Sequence, residues 1–453
     1  MRPSADPTDA AFLADVAVGE VRLSPEQAMT LFHDMPLPEL GRWADARSRA
    51  IHGDHIRTYV IDRNINYTNV CTAKCTFCAF RRDLGADDAY TLSTPEILSK
   101  IAELTDIGGT QILMQGGMNP ELPLAWYESL LADIQAAHPE VHVHAFSPPE
   151  VVEFVHFFDP PGSTFRDKVR WVLSRLKRAG LQSIPGGGGE IFAPAVRRKI
   201  GLGKCDAEIW LTVMNVAHEL GMNTSATMMF GHIEGVADRI HHMALVREWQ
   251  DRALQDFEQD GGGRYMAFIS WPFQRENTPL GRVKEWDRAV EGPFPGDVVA
   301  RLDGEGDKSA HPEFGRRVRM SGASDYLRTQ ALSRLMLDNI YSIGASWVTM
   351  GPHVGQLALS FGANDMGSVM MEENVVSAAG TTYCLSEPVL CHLIRDAGFT
   401  PAQRDNGYDL LAVHDTDASP DLQVDDWSEL RRQKLHIEST DAGDAVSLTV
   451  APN

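Results

Sequence analysis

From residue 56 onward the chain alternates short apolar runs with longer stretches in which apolar residues recur every three or four positions. The first pattern is that of buried strands and the second that of helices with one buried face. The runs INYTNV (65–70), QILMQ (111–115), VHVHAF (141–146), LQSI (181–184), NTSATMMF (223–230), YMAFIS (265–270) and ASWVTM (345–350) predict strands, and FGANDMG (361–367) a weaker eighth. Thr94-Pro95-Glu96 opens a helix with Ile97, Ile101, Leu104 and Ile107 on one stripe, which Gly108 ends. Asp206 opens another with Ile209, Val213, Val216 and Leu220 aligned before Gly221. Such alternation calls for parallel strands joined by right-handed crossovers. The expectation is an α/β fold, a (β/α)8 TIM-type barrel, partly open, with a doubly wound sheet as the alternative.

The same pattern divides the chain. Residues 1–55 form an N-terminal helical segment: 1–22 show no organised pattern, Ser24-Pro25-Glu26 starts one helix, and LPELGRWADARSRAIHG supplies a second. Residues 56–398 carry the barrel. Within them 281–322, rich in Gly, Pro and charge, is an insertion that is either a lid or a surface excursion, and it precedes the helical DYLRTQALSRLMLDNIYS. Residues 399–453 are an acidic extension ending in the strand-like VSLTV, with no chemistry assigned.

Composition narrows the function. The chain has 453 residues and a formal net charge of -21, which argues against phosphate-backbone binding as its main task and so against a nucleic-acid partner. No apolar stretch approaches the roughly 20 residues needed to span a membrane, and acidic residues interrupt the N-terminus where a signal peptide would be apolar. Six cysteines, three of them bunched, fit a reducing compartment, and the expected location is cytoplasmic.

Those three are the chemical centre: Cys71, Cys75 and Cys78, spaced C-x3-C-x2-C. Three thiolates in eight residues suggest a soft-metal site with one position unfilled. A [4Fe-4S] cluster fits that count; zinc with an outside ligand such as Cys205 is the alternative. In a parallel barrel, functional groups gather where strands end. Read so, the cysteine loop shares one mouth with Gln115-Gly116-Gly117-Met118, Ser147-Pro148-Pro149-Glu150, the four glycines before Glu190, Gly231-His232-Ile233-Glu234 and Gln274-Arg275-Glu276-Asn277. Glycine turns beside a metal loop make a cradle for a bulky polar ligand. Phe77 either shields the metal or meets a ligand's adenine, and Asn364 and Asp365 add polar groups near the last strand.

The triplet, the aromatic before its last cysteine and the Gly-Gly turn resemble the radical S-adenosylmethionine (SAM) superfamily. More narrowly, RNINYTNVC, CTFCAF, QGGMNPEL, HAFSPPE, SIPGGGGEI, MMFGH, WPFQRENT, ASWVTMGP and GANDMGSVMMEENVVSAAGTT are similar to the cyclic dehypoxanthine futalosine synthases, cyclases of the futalosine route to menaquinone. The likeness covers about residues 56–404 and lapses at 154–170, 251–263 and 281–322. It implies that Cys71, Cys75 and Cys78 hold a [4Fe-4S] cluster whose open iron takes SAM, with Phe77, Gln115, Gly116, Gly117, Met118, Ser147 and Glu190 around the cofactor. It further implies a 5′-deoxyadenosyl radical that removes hydrogen from C4′ of dehypoxanthine futalosine, closure onto the benzoate ring, and loss of an electron and a proton. Glu190, His232 and Asp365 are candidates for the base. Gln274, Arg275, Asn277, Asn364 and Asp365 are candidates for holding substrate, and a flavodoxin or ferredoxin for the electron donor. Aminofutalosine synthase and the deazaflavin-precursor synthase are the rivals within the superfamily; a non-catalytic iron-sulfur or zinc protein is the rival outside it.

Overall fold

The computed structural model describes residues 6–428 except Thr382, and the backbone of 436–439 and 446–449. Strands β1 (Ile56–Val60) and β2 (Asp62–Ile65) are one extended stretch broken at Ile61. They are followed by β3 (Gln111–Met114), β4 (His142–Ala145), β5 (Ser183–Ile184), β6 (Asn223–Phe230), β7 (Tyr265–Pro272), β8 (Ser342–Gly344) and β9 (Asp365–Ser368). From β2 to β9 each strand pairs in parallel with the next, and β9 pairs with β1, Thr58 standing opposite Asp365. The stretch 56–65 therefore serves both ends of the sheet, which curls into a barrel of eight staves.

Closure is imperfect for a definite reason. After the short β10 (Glu372–Glu373), the chain returns as β11 (Thr400–Arg404), parallel to β1, and β12 (Leu410–Val413), antiparallel to β11. β11 wedges below the start of β3, where Gln403 donates to Gly108 O at 3.1 Å. The boundary expected at 398 thus cuts the sheet: 399–413 belong to the barrel, and the turn between β11 and β12 brings Arg404, Asn406 and Tyr408 to its floor. The strand-like VSLTV is met by β14 (Val446–Thr449), which pairs with β10 and with β13 (His436–Ser439); its last residue lies outside the described residues.

The outer layer consists of α4 (Thr94–Asp106), α5 (Leu124–Ala137), α6 (Pro148–Phe158), α7 (Phe165–Ala179), α8 (Pro194–Ile200), α9 (Ala207–Glu219), α10 (Val236–Phe257) and α13 (Ala323–Met336), with α16 (Glu387–Asp396) beside β11. Reciprocal caps fix several starts: Ser93 with Glu96 on α4, Ser147 with Glu150 on α6, and Thr164 with Asp167 on α7. Between helices and sheet lies an apolar layer that includes Ile112, Val143, Leu173, Leu176, Trp210 and Val213, all fully buried.

Three expectations need correction. INYTNV is strand only at Ile65: beyond it Asn66 Nδ2 donates to Gln115 O (3.1 Å), Thr68 Oγ1 to Tyr90 O (2.6 Å) and Asn69 Nδ2 to Asp88 O (2.8 Å), so these side chains build a mouth loop instead of a ladder. ASWVTM is not a strand either. The strand is β8, just before it, and 347–350 form the short helix α14 (Trp347–Met350), because burial of Trp347 and the left-handed Gly351 (φ 85°) override β propensity. Finally, residues 10–18 are organised, as α1 (Ala10–Val18), with Asp9 accepting from Ala11 N and Leu13 and Val16 buried. α2 (Pro25–Asp34) and α3 (Leu37–His52) follow as expected. Arg328 of α13 donates to Phe32 O and Met35 O, and Arg22 pairs with Asp251 and Asp338, tying this segment to the barrel's outside. The insertion 281–322 holds α11 (Arg288–Glu291) and α12 (Pro295–Val299) and buries Phe294, Val299, Phe314 and Val318; α15 (Pro352–Ala358) completes the helices.

Candidate active site

The cysteine loop is shaped by its neighbours' carbonyls and amides. Thr72 N donates to Met118 O (3.1 Å), Lys74 N to Leu202 O (2.8 Å) and Thr76 N to Ile200 O (2.8 Å), so the loop is clamped between the Gly-Gly turn and the segment after α8. Gly117 packs against this loop so closely that a Cβ there would overlap Val70 O and crowd Cys71. Glu150, fully buried, draws the mouth together: it accepts from Tyr67 Oη (2.6 Å), Gly116 N (3.0 Å), Ser147 N (2.7 Å) and Ser147 Oγ (2.6 Å). Burial pushes its carboxyl up, against these donors.

The result is a cavity of about 210 Å³ on which Cys71, Cys75, Cys78, Phe77, Gln115–Met118, Ser147, Glu150, Glu190 and Lys204 all open. Burial pushes the Cys75 thiol up to about 12 and the Cys71 thiol upward, with Lys204 pulling the other way. Glu190, at the left-handed φ of 37°, accepts from Lys204 Nζ at 2.8 Å through Oε1, while its buried Oε2 has no hydrogen-bond partner among the described residues and Arg197 stands 3.9 Å away. Among the described residues no three Cys, His, Asp or Glu side chains converge as a single metal ion requires. Three thiols spread round one cavity suit a larger thiolate-held cluster, and a buried carboxylate oxygen without a donor suits a ligand with hydroxyl or amino groups.

Below this cavity lies a second, of about 370 Å³, inside the barrel; the two share Gln115, Gly187, Gly188, Trp271 and Val375 as a common wall. A barrel interior is ordinarily filled by branched apolar side chains. Here several inward positions are polar, among them Asp62, Asn64, Gln111, His144, Ser225 and Thr227, beside apolar Val60, Leu113, Ile269 and Trp271, and the lumen is hollow. Its carboxylates are engaged. Asp62 accepts from Gln111 Nε2 (2.9 Å) and Ser368 Oγ, and burial pushes it up. Glu373 accepts from Asn64 Nδ2 and from Val375 N and Val376 N. Asp365 takes Arg404 Nε at 2.5 Å and Nη2 at 2.9 Å, with Thr58 Oγ1 at 2.5 Å. On β4, His142 Nε2 and His144 Nδ1 both meet Ser183 Oγ, at 2.7 and 2.6 Å. Burial holds His142 near 4 and His144 near 3.

Of the sequence candidates, the thiols, Phe77, Gln115–Met118, Ser147 and Glu190 meet at the upper cavity and Asp365 at the lumen. The others face elsewhere. His232 is fully buried outside both cavities, its Nδ1 accepting from Ile233 N (2.7 Å) and its Nε2 donating to Met229 O (3.2 Å). Arg275 turns to the insertion, donating to Gly281 O and Val283 O and pairing with Glu285; Gln274 donates to Pro272 O and Asn277 to Ala378 O. Asn364 braces the barrel's outside, accepting from Arg334 Nη2 (2.6 Å) and Ile343 N (2.8 Å). Glu150's hydrogen bonds, Lys204 and the lumen residues other than Asp365 are not among the sequence candidates; the signal for the last was polar residues at alternate positions, as in VHVHAF.

A curled (β/α)8 barrel with three thiols at its mouth above a hollow lumen is the arrangement of the radical SAM class of enzyme. The radical SAM superfamily profile matches residues 65–246, and that of the CofH/MqnC C-terminal region matches 313–416. The chain is 39% identical over 395 residues to a cyclic dehypoxanthine futalosine synthase of Halalkalibacterium halodurans, covering 87% of this chain and 93% of that one. To the protein of the same name from Streptomyces coelicolor it is 35% identical, covering 94% of each. It is also 36% identical to a 5-amino-6-(D-ribitylamino)uracil–L-tyrosine 4-hydroxyphenyl transferase of Methanopyrus kandleri, over 82% of this chain and 88% of that. Methylornithine synthase shares the fold (TM-score 0.57, 16% identity, 86% of this chain and 97% of that). The chain belongs to the radical SAM family that contains the cyclic dehypoxanthine futalosine synthases, and it is an enzyme. Membership implies a [4Fe-4S] cluster and SAM; no described helix is long and apolar enough to cross a membrane.

Proposed function

We propose that this enzyme cyclises dehypoxanthine futalosine in the futalosine route to menaquinone, in the cytoplasm, with a flavodoxin or ferredoxin as electron donor. The observation that carries the reading is the pair of joined cavities: a thiol-lined chamber for a reagent and a lumen of mixed polar and apolar lining for a substrate that has both a sugar and an aromatic ring, with a shared wall between. Cys71, Cys75 and Cys78 would hold a [4Fe-4S] cluster, and the Gly116–Gly117 turn, Ser147 and Glu190 would hold SAM. When bound, that pair supplies a hydrogen-abstracting 5′-deoxyadenosyl radical. The chain's own work is containment and orientation. Gln115, Gly187, Gly188, Trp271 and Val375 stand where the two chambers meet, so they position the substrate sugar against the reagent. The floor turn at 404–408 closes the lumen below, limiting water and side reactions.

The transferase and aminofutalosine-type reactions are the second reading, favoured by relatives of similar identity under those names. Reconstituted, reduced enzyme with SAM and dehypoxanthine futalosine is expected to give a product two hydrogens lighter, followed by mass spectrometry. Turnover with tyrosine and a ribityl-uracil instead would overturn the assignment.

A further inference from the structure

Cyclisation needs a base inside the barrel, and the three candidates read from sequence do not supply one. Glu190 opens on the upper cavity and is bound to Lys204, His232 lies outside both cavities, and Asp365 is locked to Arg404. The lumen offers one other kind of basic group. His144 lines it from the middle of β4, level with Leu113 on β3 and Ser183 on β5. Its Nδ1 is taken by Ser183 Oγ, and among the described residues its Nε2 meets no hydrogen-bond partner. Asp62, Glu373 and Asp365 by contrast each accept from at least two protein donors.

Ser183 has a single hydroxyl proton and two imidazoles on its oxygen. It can donate to at most one ring, so at least one ring donates to it. Donation to His142 Nε2 leaves His144 with its proton on Nδ1 and a bare lone pair on Nε2, the nitrogen left unpartnered in the lumen. His142 in turn feels the charge of Asp405, on the turn that floors the barrel. His144, Ser183 and His142 therefore form a continuous hydrogen-bonded line from lumen to floor.

We propose that His144 Nε2 is the general base of the cyclisation and that Ser183 and His142 carry the proton away to the barrel floor. The proposal rests on the cyclase reading above. When the sugar carbon closes onto the ring, the attacked ring carbon carries a hydrogen and the ring an unpaired electron. His144 takes that hydrogen as a proton, the C–H electron pair returns to the ring, and the surplus electron passes to a one-electron acceptor of the iron-sulfur or flavin class. The new imidazolium donates Nδ1–H to Ser183, whose own proton moves to His142 Nε2. Burial, with His142 and Arg404 nearby, holds His144 near 3, so its Nε2 lone pair is free at neutral pH although the ring is a weaker base than a free imidazole.

The test measures cyclised product per 5′-deoxyadenosine formed by the reconstituted enzyme. His144→Ala and the size-conserving His144→Gln are expected to lower that ratio about 100- to 10,000-fold, with imidazole partly rescuing the alanine variant. A ratio within threefold of wild type in the glutamine variant overturns the proposal, whether or not total turnover falls. If wild-type enzyme makes no cyclised product at all, it is the cyclase reading that fails. Independently of turnover, histidine 15N resonances of the wild-type chain are expected to show His144 neutral and protonated on Nδ1 from pH 5 to 8, with Ser183→Ala shifting that tautomer balance. An Nε2-protonated His144 in the wild type would refute the assignment.

Discussion

Asp365 offers a clean separation between a residue that does chemistry and one that holds the barrel together. Its two oxygens take Arg404 Nε and Nη2 at 2.5 and 2.9 Å, with both side chains buried, and they join the start of β9 to the end of β11. Burial works against the Arg404 charge, but Asp365 outweighs it and raises that guanidinium's affinity for its proton. Asp365→Asn removes the counter-charge and leaves the buried guanidinium one amide oxygen and Asp405 O as acceptors. Breaking one side of such a pair costs about 3–5 kcal/mol. With an unfolding entropy of about 2.1 cal/mol/K per residue and 453 residues, that is a fall in Tm of roughly 3–5 °C. Replacing both partners with apolar residues of similar volume is often neutral, so Asp365→Leu with Arg404→Met is expected to recover most of the loss. Calorimetry on the two single variants and the double variant measures this directly. If Asp365→Asn unfolds within about 1 °C of wild type yet makes no cyclised product, the structural account is wrong and Asp365 belongs to the chemistry.

Two further outcomes follow from the same geometry. Glu150→Leu strips four hydrogen bonds from Tyr67, Gly116 and Ser147, and a buried donor left unpaired costs about 1–3 kcal/mol; SAM binding by equilibrium dialysis is expected to weaken at least tenfold, and an unchanged Kd would show that the clamp does not shape the site. His52, His144 and His218 are held near 3 and His142 near 4, burial being the first cause in each. Between about pH 4 and 6.5 the unfolded chain therefore binds more protons than the folded one, so this stability is complete above about 6.5 and is lost as pH falls below it, by up to about 1.4 kcal/mol per pH unit for each histidine. Denaturant midpoints at pH 7.0 and 5.5 check the sign, and a higher midpoint at 5.5 would contradict it.

What could be read from the chain was what adjacent residues decide among themselves. The spacing of Cys71, Cys75 and Cys78, the Gly116–Gly117 turn and the helix starts at Ser24, Thr94 and Asp206 are local, and each lies where the pattern put it. Direction is another matter. Arg275 follows a barrel strand and so was placed at the mouth, but the insertion after it leaves Gly281 and Val283 carbonyls that need donors, and the guanidinium turns to them. Asn364 and Asp365 are neighbours, yet a strand sends them to opposite faces, one to Arg334 outside and the other to Arg404 within. Such a choice depends on which face the curled sheet turns inward, and strands of four residues reveal that only when read against one another. VHVHAF holds His142 and His144 two apart, DRN holds Asp62 and Asn64 two apart, and Gln111 and Gln115 are four apart; each looks minor alone. Taken together they mark polar positions recurring, with Leu113 among them, on the inward face of consecutive staves, which an ordinarily packed barrel would fill with aliphatic side chains. That repetition, more than any single motif outside the cysteine loop, is the trace in the sequence of a lumen left hollow.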